Sequence, residues 1–485
     1  MIGGDSRSGL APRSAAEPRW RRDQRSRRNR RMTLRGRATL ASAGFSAGLA
    51  LVWALDPMSA VHAGEPEPEE SAGTLPAPVR ADASSGSPRA PAGLLRRLPS
   101  SRAALELPVT GESPGTPSGS VPGHLFERVP SPEGLHTVEY TLDAELTHQV
   151  FRALSNARVD LGNAIVIDPE HGRVLAYAST DTERFPPTRS YPAASLVKVI
   201  TAAAALDVAP ESARLPCRYR GSPYRLTESR LEPPAVGKEV SLRKALATSN
   251  NQCFAQLAVH VVGVNPLIEA ITRFGWLSAP APGHAPGEAD PGEDRLDVGR
   301  LGCGLDGCRI TPLHAAQLAA SLAHGELVPP RWIERVWDPQ GRSLSVPPTG
   351  TRRQVLSPQL TAELRAMLVD TTRQGTARRA FRDRRGHPLL GDIRVAGKTG
   401  SLSGSDPEGR YEWFIGVAPA DAPRVAVATV LVQGHLYWRT SSQVAADVLK
   451  RVFCVEGDCA PRHAERFTRP GADPPVEKTV ALAGS

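Results

Sequence analysis

The chain has 485 residues, enough for two or three domains, with 22% charged residues and a formal net charge of +9. The first 38 residues hold twelve arginines against Asp5, Glu17 and Asp23, which accounts for the whole excess and leaves the rest neutral. A neutral body lacks the basic face that phosphate binding needs, so composition gives no nucleic-acid partner.

The arginine-rich segment "RRNRRMTLRGR" runs into "ATLASAGFSAGLALVWAL", residues 38–55, which carry no charge. Val61-His62-Ala63 then offers an A-x-A-like cleavage site, so Met32–Ala63 reads as a signal peptide. The alternative is an uncleaved anchor, because the apolar stretch sits at the lower length limit for crossing a bilayer. Residues 1–63 are therefore assigned as leader. Everything after them is expected outside the cytoplasm, in the periplasm or cell envelope, touching membrane only if the leader is uncleaved.

Six cysteines agree with export. Sequence alone leaves their pairing open, but spacing favours Cys303–Cys308 and Cys454–Cys459 as short staples and leaves Cys217–Cys253 as the long one. Zinc at the two C-x4-C pairs is disfavoured, since exported thiols oxidise and no histidines sit at ligand spacing. No metal or cofactor signature is found.

Residues 64–136 are rich in Pro, Ser, Gly, Glu and Ala without hydrophobic periodicity, which predicts a disordered tether. From Thr137 the pattern changes. A short strand leads into an amphipathic helix, and "NAIVID" and "RVLAYAS" flank the turn "PEHG" as a hairpin. Helical spacing follows in "YPAASLVKVITAAAAL", "LRKALATSNNQCFAQLAVHVVG", "NPLIEAITRFGW", "TPLHAAQLAASLAHG" and "SPQLTAELRAMLVDTTRQG". Three strands, "RVAGKTGSL", "YEWFIGVAPAD" and "RVAVATVLVQG", precede a last helix, "SSQVAADVLKRVF". This order predicts an α+β fold: an antiparallel β-sheet flanked by helices, plus a helical subdomain. The domain is placed at 137–456, and 457–485 is expected to be a disordered tail.

One residue is out of place in this pattern. Lys198 stands in an apolar helix three residues after Ser195, and a buried lysine is costly without a partner or a task. Two more motifs follow in order, Ser249-Asn250-Asn251 between helices and Lys398-Thr399-Gly400 on a strand. Singly each reads as a surface turn or a helix start; the ordered set with this context is specific.

Together they resemble the penicillin-recognising serine acyltransferases, specifically the transpeptidase domain of the penicillin-binding proteins. The resemblance runs from about Thr137 to Glu456 and includes "RQGTARRA" and "WFIGVAPAD". It implies a β-lactamase/transpeptidase-like fold and a D,D-transpeptidase or D,D-carboxypeptidase. Ser195 would be the nucleophile, and Lys198, one helical turn away with its basicity altered by burial, its base. The helix start supplies the Ser195 N–H to an oxyanion hole, and the resemblance assigns the second N–H to Ser401. Ser249 is read as a proton shuttle between Lys198 and the leaving amine, within reach of Lys398. Asn251 has an amide able to hold Lys198 and a substrate carbonyl. Lys398, Thr399 and Ser401 form a ledge for a C-terminal carboxylate, and Gly400 lets substrate backbone approach. The implied partners are peptidoglycan stem peptides ending in D-Ala-D-Ala, and β-lactams. The sequence leaves oligomeric state open.

A serine β-lactamase is the competing enzyme. No E-x-x-L-N pattern stands between Gln252 and Asp297, and Asn251 occupies a place usually hydrophobic in class D enzymes. A non-catalytic β-lactam sensor or scaffold is the competing non-enzyme; a complete set of motif residues and the lack of a second apolar span argue against it. Neither a glycosyltransferase domain nor a pedestal signature is found. Trp413 and Phe414 read as core, and Arg378 and Arg379 as a solvated face.

Overall fold

The computed structural model describes residues 88–434 and 438–468. The leader, the tether over 64–87 and the tail from 469 lie outside the described residues.

Strands β1 (His124–Ser131) and β2 (Gly134–Asp143) form a hairpin, and Asp143 turns the chain into helix α1 (Ala144–Asn156) by accepting from the Leu146 amide at 2.7 Å. Strands β3 (Leu161–Ile167) and β4 (Val174–Ser179) flank the "PEHG" turn as predicted. A run of helices follows: α2 (Val197–Val208), α3 (Leu242–Ala247), α4 (Asn251–Gln256), α5 (Val264–Arg273), α6 (Arg295–Cys303) and α7 (Pro312–His324). Then come β5 (Ile333–Trp337), α8 (Pro358–Arg373), β6 (Ala396–Ser405), β7 (Glu408–Ala418), β8 (Val425–Gln433) and α9 (Ser441–Phe453). Helix starts follow the sequence signals: Thr311 with His314 and Thr440 with Gln443 make capping boxes, and Pro312 and Pro358 stand in first turns.

The main sheet is antiparallel, ordered β6-β7-β8-β3-β4. Strand alternation sends side chains to two cores, one on each face. Tyr411, Trp413, Ile415 and Val417 of β7 join the core shared with α2 and α7, while Phe414 and Ala418 join the core shared with α1 and α9. A sheet buried on both faces explains why β3 is buried along its whole length and apolar or small at every position but Asn163. Trp413 is core, as expected, and its indole also donates to the Pro192 carbonyl at 2.9 Å, just before the Ser195 turn. β1, β2, β5 and Ser343–Leu344 make a second, four-stranded sheet.

Three expectations are corrected. The tether does not extend to 136: residues 88–136 include β1, paired with β2 from His124↔Asp143 to Ser131↔Gly134, and bury Leu94, Ala104, Leu125 and Phe126. These apolar residues are scattered, so their burial leaves no periodic trace. The segment after 456 also has structure to Thr468, with Ala464 and Phe467 buried beside α9. Finally, Cys217–Cys253 and Cys454–Cys459 are disulfides, but Cys303 and Cys308 are free, buried thiols. The chain between those two turns through left-handed Gly304 and Gly307. Its ends hold the serine turn by their carbonyls: Cys303 accepts from Lys198 and Cys308 from the Ala193 amide.

Candidate active site

Ser195 lies in a 3-10 turn, Ala194–Leu196, that leads into α2. Ala194 has φ 50°, a left-handed conformation disfavoured for alanine by roughly 1–2 kcal/mol. Gly304 presses on this turn. A Cβ at Gly304 would lie 2.0 Å from the Ala194 carbonyl oxygen and 3.0 Å from the Ser195 nitrogen. Gly400 serves a similar close approach, since a Cβ there would meet Ala193 O, Ala194 Cβ and Trp413 Cβ, each at 3.3 Å.

Lys198 is fully buried, and its Nζ makes three bonds of 2.7 Å, to Ser195 Oγ, Asn251 Oδ1 and the Cys303 carbonyl. Burial lowers its ammonium to about 8. Two of its three partners are carbonyl-type oxygens that can only accept. A neutral Lys198 therefore spends both N–H groups on Asn251 and Cys303, and its lone pair faces the Ser195 hydroxyl. That geometry suits proton abstraction from Ser195.

Ser249 sits at the tip between α3 and α4 with φ 56°, a second left-handed non-glycine residue at the site. Asn250 caps α4 by accepting from the Cys253 amide, which makes Asn251 the first helical residue. The Asn251 Nδ2 donates to the Tyr224 carbonyl at 2.8 Å, so both ends of this amide are engaged.

Lys398 is also fully buried, and donates to Ser249 Oγ at 2.9 Å and to the Thr399 carbonyl at 2.6 Å. Burial and then the Lys198 charge hold its ammonium well below the usual lysine range. All of these acceptors around the two lysines are neutral.

The structure thus gathers Ser195, Lys198, Ser249, Asn251 and Lys398 at one site as two separate hydrogen-bonded halves, one around Lys198 and one around Lys398. Ser249 joins the Lys398 half; the bonds of Lys198 go elsewhere, so a direct Lys198–Ser249 proton path is absent from this arrangement. Thr399 and Ser401 line the exposed part of β6, where Ser401 Oγ accepts from Arg410 Nε at 2.6 Å. Sequence reading missed three participants: the Cys303 carbonyl, Arg410, and Thr376, whose hydroxyl is 2.6 Å from that of Thr399. Thr376 was signalled only by its place in "RQGTARRA"; a main-chain carbonyl has no sequence signal. Arg378 and Arg379 are exposed.

An antiparallel sheet with helices on both faces, and a serine at a helix head bonded to a buried lysine, is the frame of the penicillin-recognising serine proteins. The family model for the penicillin binding protein transpeptidase domain matches residues 162–453, more than half of the chain. The chain belongs to that family. Among its relatives, peptidoglycan D,D-transpeptidase PbpA of Mycobacterium tuberculosis (strain ATCC 25618 / H37Rv) is 30% identical over 259 residues, 51% of each chain. Peptidoglycan D,D-transpeptidase FtsI of Escherichia coli (strain K12) is 26% identical over 347 residues, 64% of this chain and 54% of the relative. The chain thus spans about half the length of the curated relatives it matches. The crystal structure of PBPA from M. tuberculosis superposes with a TM-score of 0.54 at 24% identity, covering 64% of this chain and 81% of that one. A ceftriaxone acyl-enzyme complex of penicillin-binding protein A from M. tuberculosis gives a TM-score of 0.53 at 24% identity, covering 64% and 79%. These two likenesses establish the fold.

Proposed function

We propose that the chain is an exported D,D-transpeptidase that acylates Ser195 with peptidoglycan stem peptides and is blocked covalently by β-lactams. The observation that carries this reading is Lys198, buried, bonded to Ser195 Oγ at 2.7 Å, with its other two bonds spent on pure acceptors. Ser195 Oγ attacks the carbonyl of the penultimate D-alanine while Lys198 takes its proton, and the carbonyl oxygen gains charge facing the main-chain N–H groups of Ser195 and Ser401. The C–N bond breaks, the leaving D-alanine amine takes a proton from the Ser249–Lys398 half, and a Ser195 ester remains. An acceptor amine then attacks the ester, giving its surplus proton to the Ser249–Lys398 half, and Lys198 returns its proton to Ser195 Oγ as the ester C–O bond breaks. Lys398 and the Thr399 hydroxyl, backed by Thr376, are assigned to the substrate carboxylate. The names of the relatives, peptidoglycan D,D-transpeptidases, support the substrate class.

The test is the fate of the acyl group. The protein is mixed with a fluorescent penicillin and the mass of the Ser195 peptide is followed over time. An adduct lasting many minutes, absent from Ser195→Ala, is expected. Labelling that persists in Ser195→Ala removes the nucleophile assignment. Rapid loss of the adduct with penicillin consumed catalytically makes the protein a β-lactamase, and no adduct at all makes it a scaffold. With stem-peptide donors, release of D-alanine without transfer to an amine makes it a carboxypeptidase.

A further inference from the structure

One face of α1 and the 3-10 turn Arg102–Glu106 enclose a cavity of about 430 Å³. Helix α1 packs on the core that holds Phe414, and α2 on the core that holds Trp413, so this cavity and Ser195 lie on opposite sides of the main sheet. Two arginines from segments distant in sequence, Arg102 and Arg152, converge on it, and no carboxylate lines it. Among the described residues neither guanidinium has a carboxylate partner; that of Arg102 lies over the Phe151 ring, 6.0 Å from its centre.

A third arginine deepens the imbalance. Arg451 of α9 donates to Gln149 Oε1 at 2.5 Å, and burial, then the Arg152 charge, holds its guanidinium below the usual arginine range. With its carbonyl end spent on Arg451, Gln149 has only its NH2 group to offer the cavity. His148 and Ser155 stand at helical spacing from Arg152 and add donors to the same face. Glu145, one turn earlier, is 3.8 Å from Arg466. A lone surface arginine is usually just solvated; here two share a concavity, and among the described residues no acid offsets the repulsion between Arg152 and Arg451.

We propose that this cavity binds a small phosphate monoester, a phosphoryl group on a sugar-sized body, independently of the chemistry at Ser195. Two guanidiniums that face no carboxylate call for a dianion. A phosphate monoester satisfies both through paired N–H···O bonds, whereas a carboxylate brings a single charge. The volume falls within the range of small-molecule pockets, roughly 300–1,000 Å³, and exceeds what a phosphoryl group fills alone. The apolar wall of Leu105 and Phe151 is left for the body of the ligand.

The experiment titrates the protein with glucose 6-phosphate, glucuronate and glucose at constant ionic strength, so that general screening is the same throughout, and reads binding by calorimetry. Saturable binding of glucose 6-phosphate is expected, at least about tenfold tighter than that of glucuronate and absent with glucose. Arg102→Gln and Arg152→Gln should each weaken it about tenfold or more, the loss of one charge-assisted contact. Arg152→Gln should also leave the melting temperature of the unliganded protein unchanged or higher, because it relieves Arg451. A fall would make Arg152 a structural residue and overturn the proposal. Equal affinity in both variants would put the ligand elsewhere on the protein, and either no saturable binding or glucuronate bound as tightly would overturn the assignment as well.

Discussion

Lys198 decides how the site responds to pH. Its ammonium, lowered by burial to about 8 from an ordinary 10.5, must lose its proton before it can accept one from Ser195. The acylation rate is therefore expected to rise with pH through about 8. Stability follows the same direction: between about 8 and 10.5 the unfolded chain holds more protons than the folded one, so stability increases with pH across that window. The cost of burying the charged form is fully present below it. Lys198→Ala should slow acylation by at least about a hundredfold and flatten its rise near pH 8. Stopped-flow acylation across pH checks both; near-normal rates in the variant would mean that another group serves as base.

At the level of secondary structure, the Cys217–Cys253 disulfide closes a loop of 36 residues and anchors the segment that holds the Asn251 amide. By loop entropy it contributes about 3–4 kcal/mol, against about 2 for Cys454–Cys459 with its separation of 5. The paired substitution Cys217→Ser with Cys253→Ser should lower the melting temperature and also slow acylation, because the Asn251 rotamer loses its fixed partner. Removing Cys454–Cys459 should lower stability without slowing acylation. Equal acylation rates in the two double variants would separate Asn251 from the disulfide. The elements around these bridges were legible in the sequence wherever local chemistry decides: Pro, Ser and Thr at helix starts, apolar β-branched and aromatic runs in β7 and β8. The Ser195 turn was legible only in part. Its lysine spacing could be read, but the left-handed Ala194 and the pressure of Gly304 come from packing between segments distant in sequence.

The second sheet carries the fold well past the boundary that composition suggests. β1 pairs with β2, and further back Ala90 is buried and donates its amide to the Ser345 carbonyl at 3.0 Å, so the folded body includes residue 90. A protein spanning 88–468 should label with penicillin like the full chain. One starting at Thr137 should lose the β1 pairing, unfold at a lower temperature and expose hydrophobic surface; an unchanged melting curve would make β1 an ornament of the fold. Composition misled here because a Pro- and Ser-rich stretch can still spend a few apolar residues on a neighbour's core. It misled again on Cys303 and Cys308, where closeness in sequence suggested a bridge and the backbone is used instead to hold the Ser195 turn. The three motifs, by contrast, were readable as an ordered set: two stand at helix starts, and Lys398-Thr399-Gly400 lies within β6.

The two buried lysines, side by side among neutral acceptors, have a thermodynamic consequence for ligand arrival. An anion settling against Lys398 restores the charged form that burial disfavours, so carboxylate ligands should bind with net uptake of protons from the medium. Calorimetry of an acylation-incompetent Ser195→Ala protein in two buffers of different ionisation enthalpy would read that uptake as a difference in apparent heat, and identical heats would mean that Lys398 already carries its proton in the empty site.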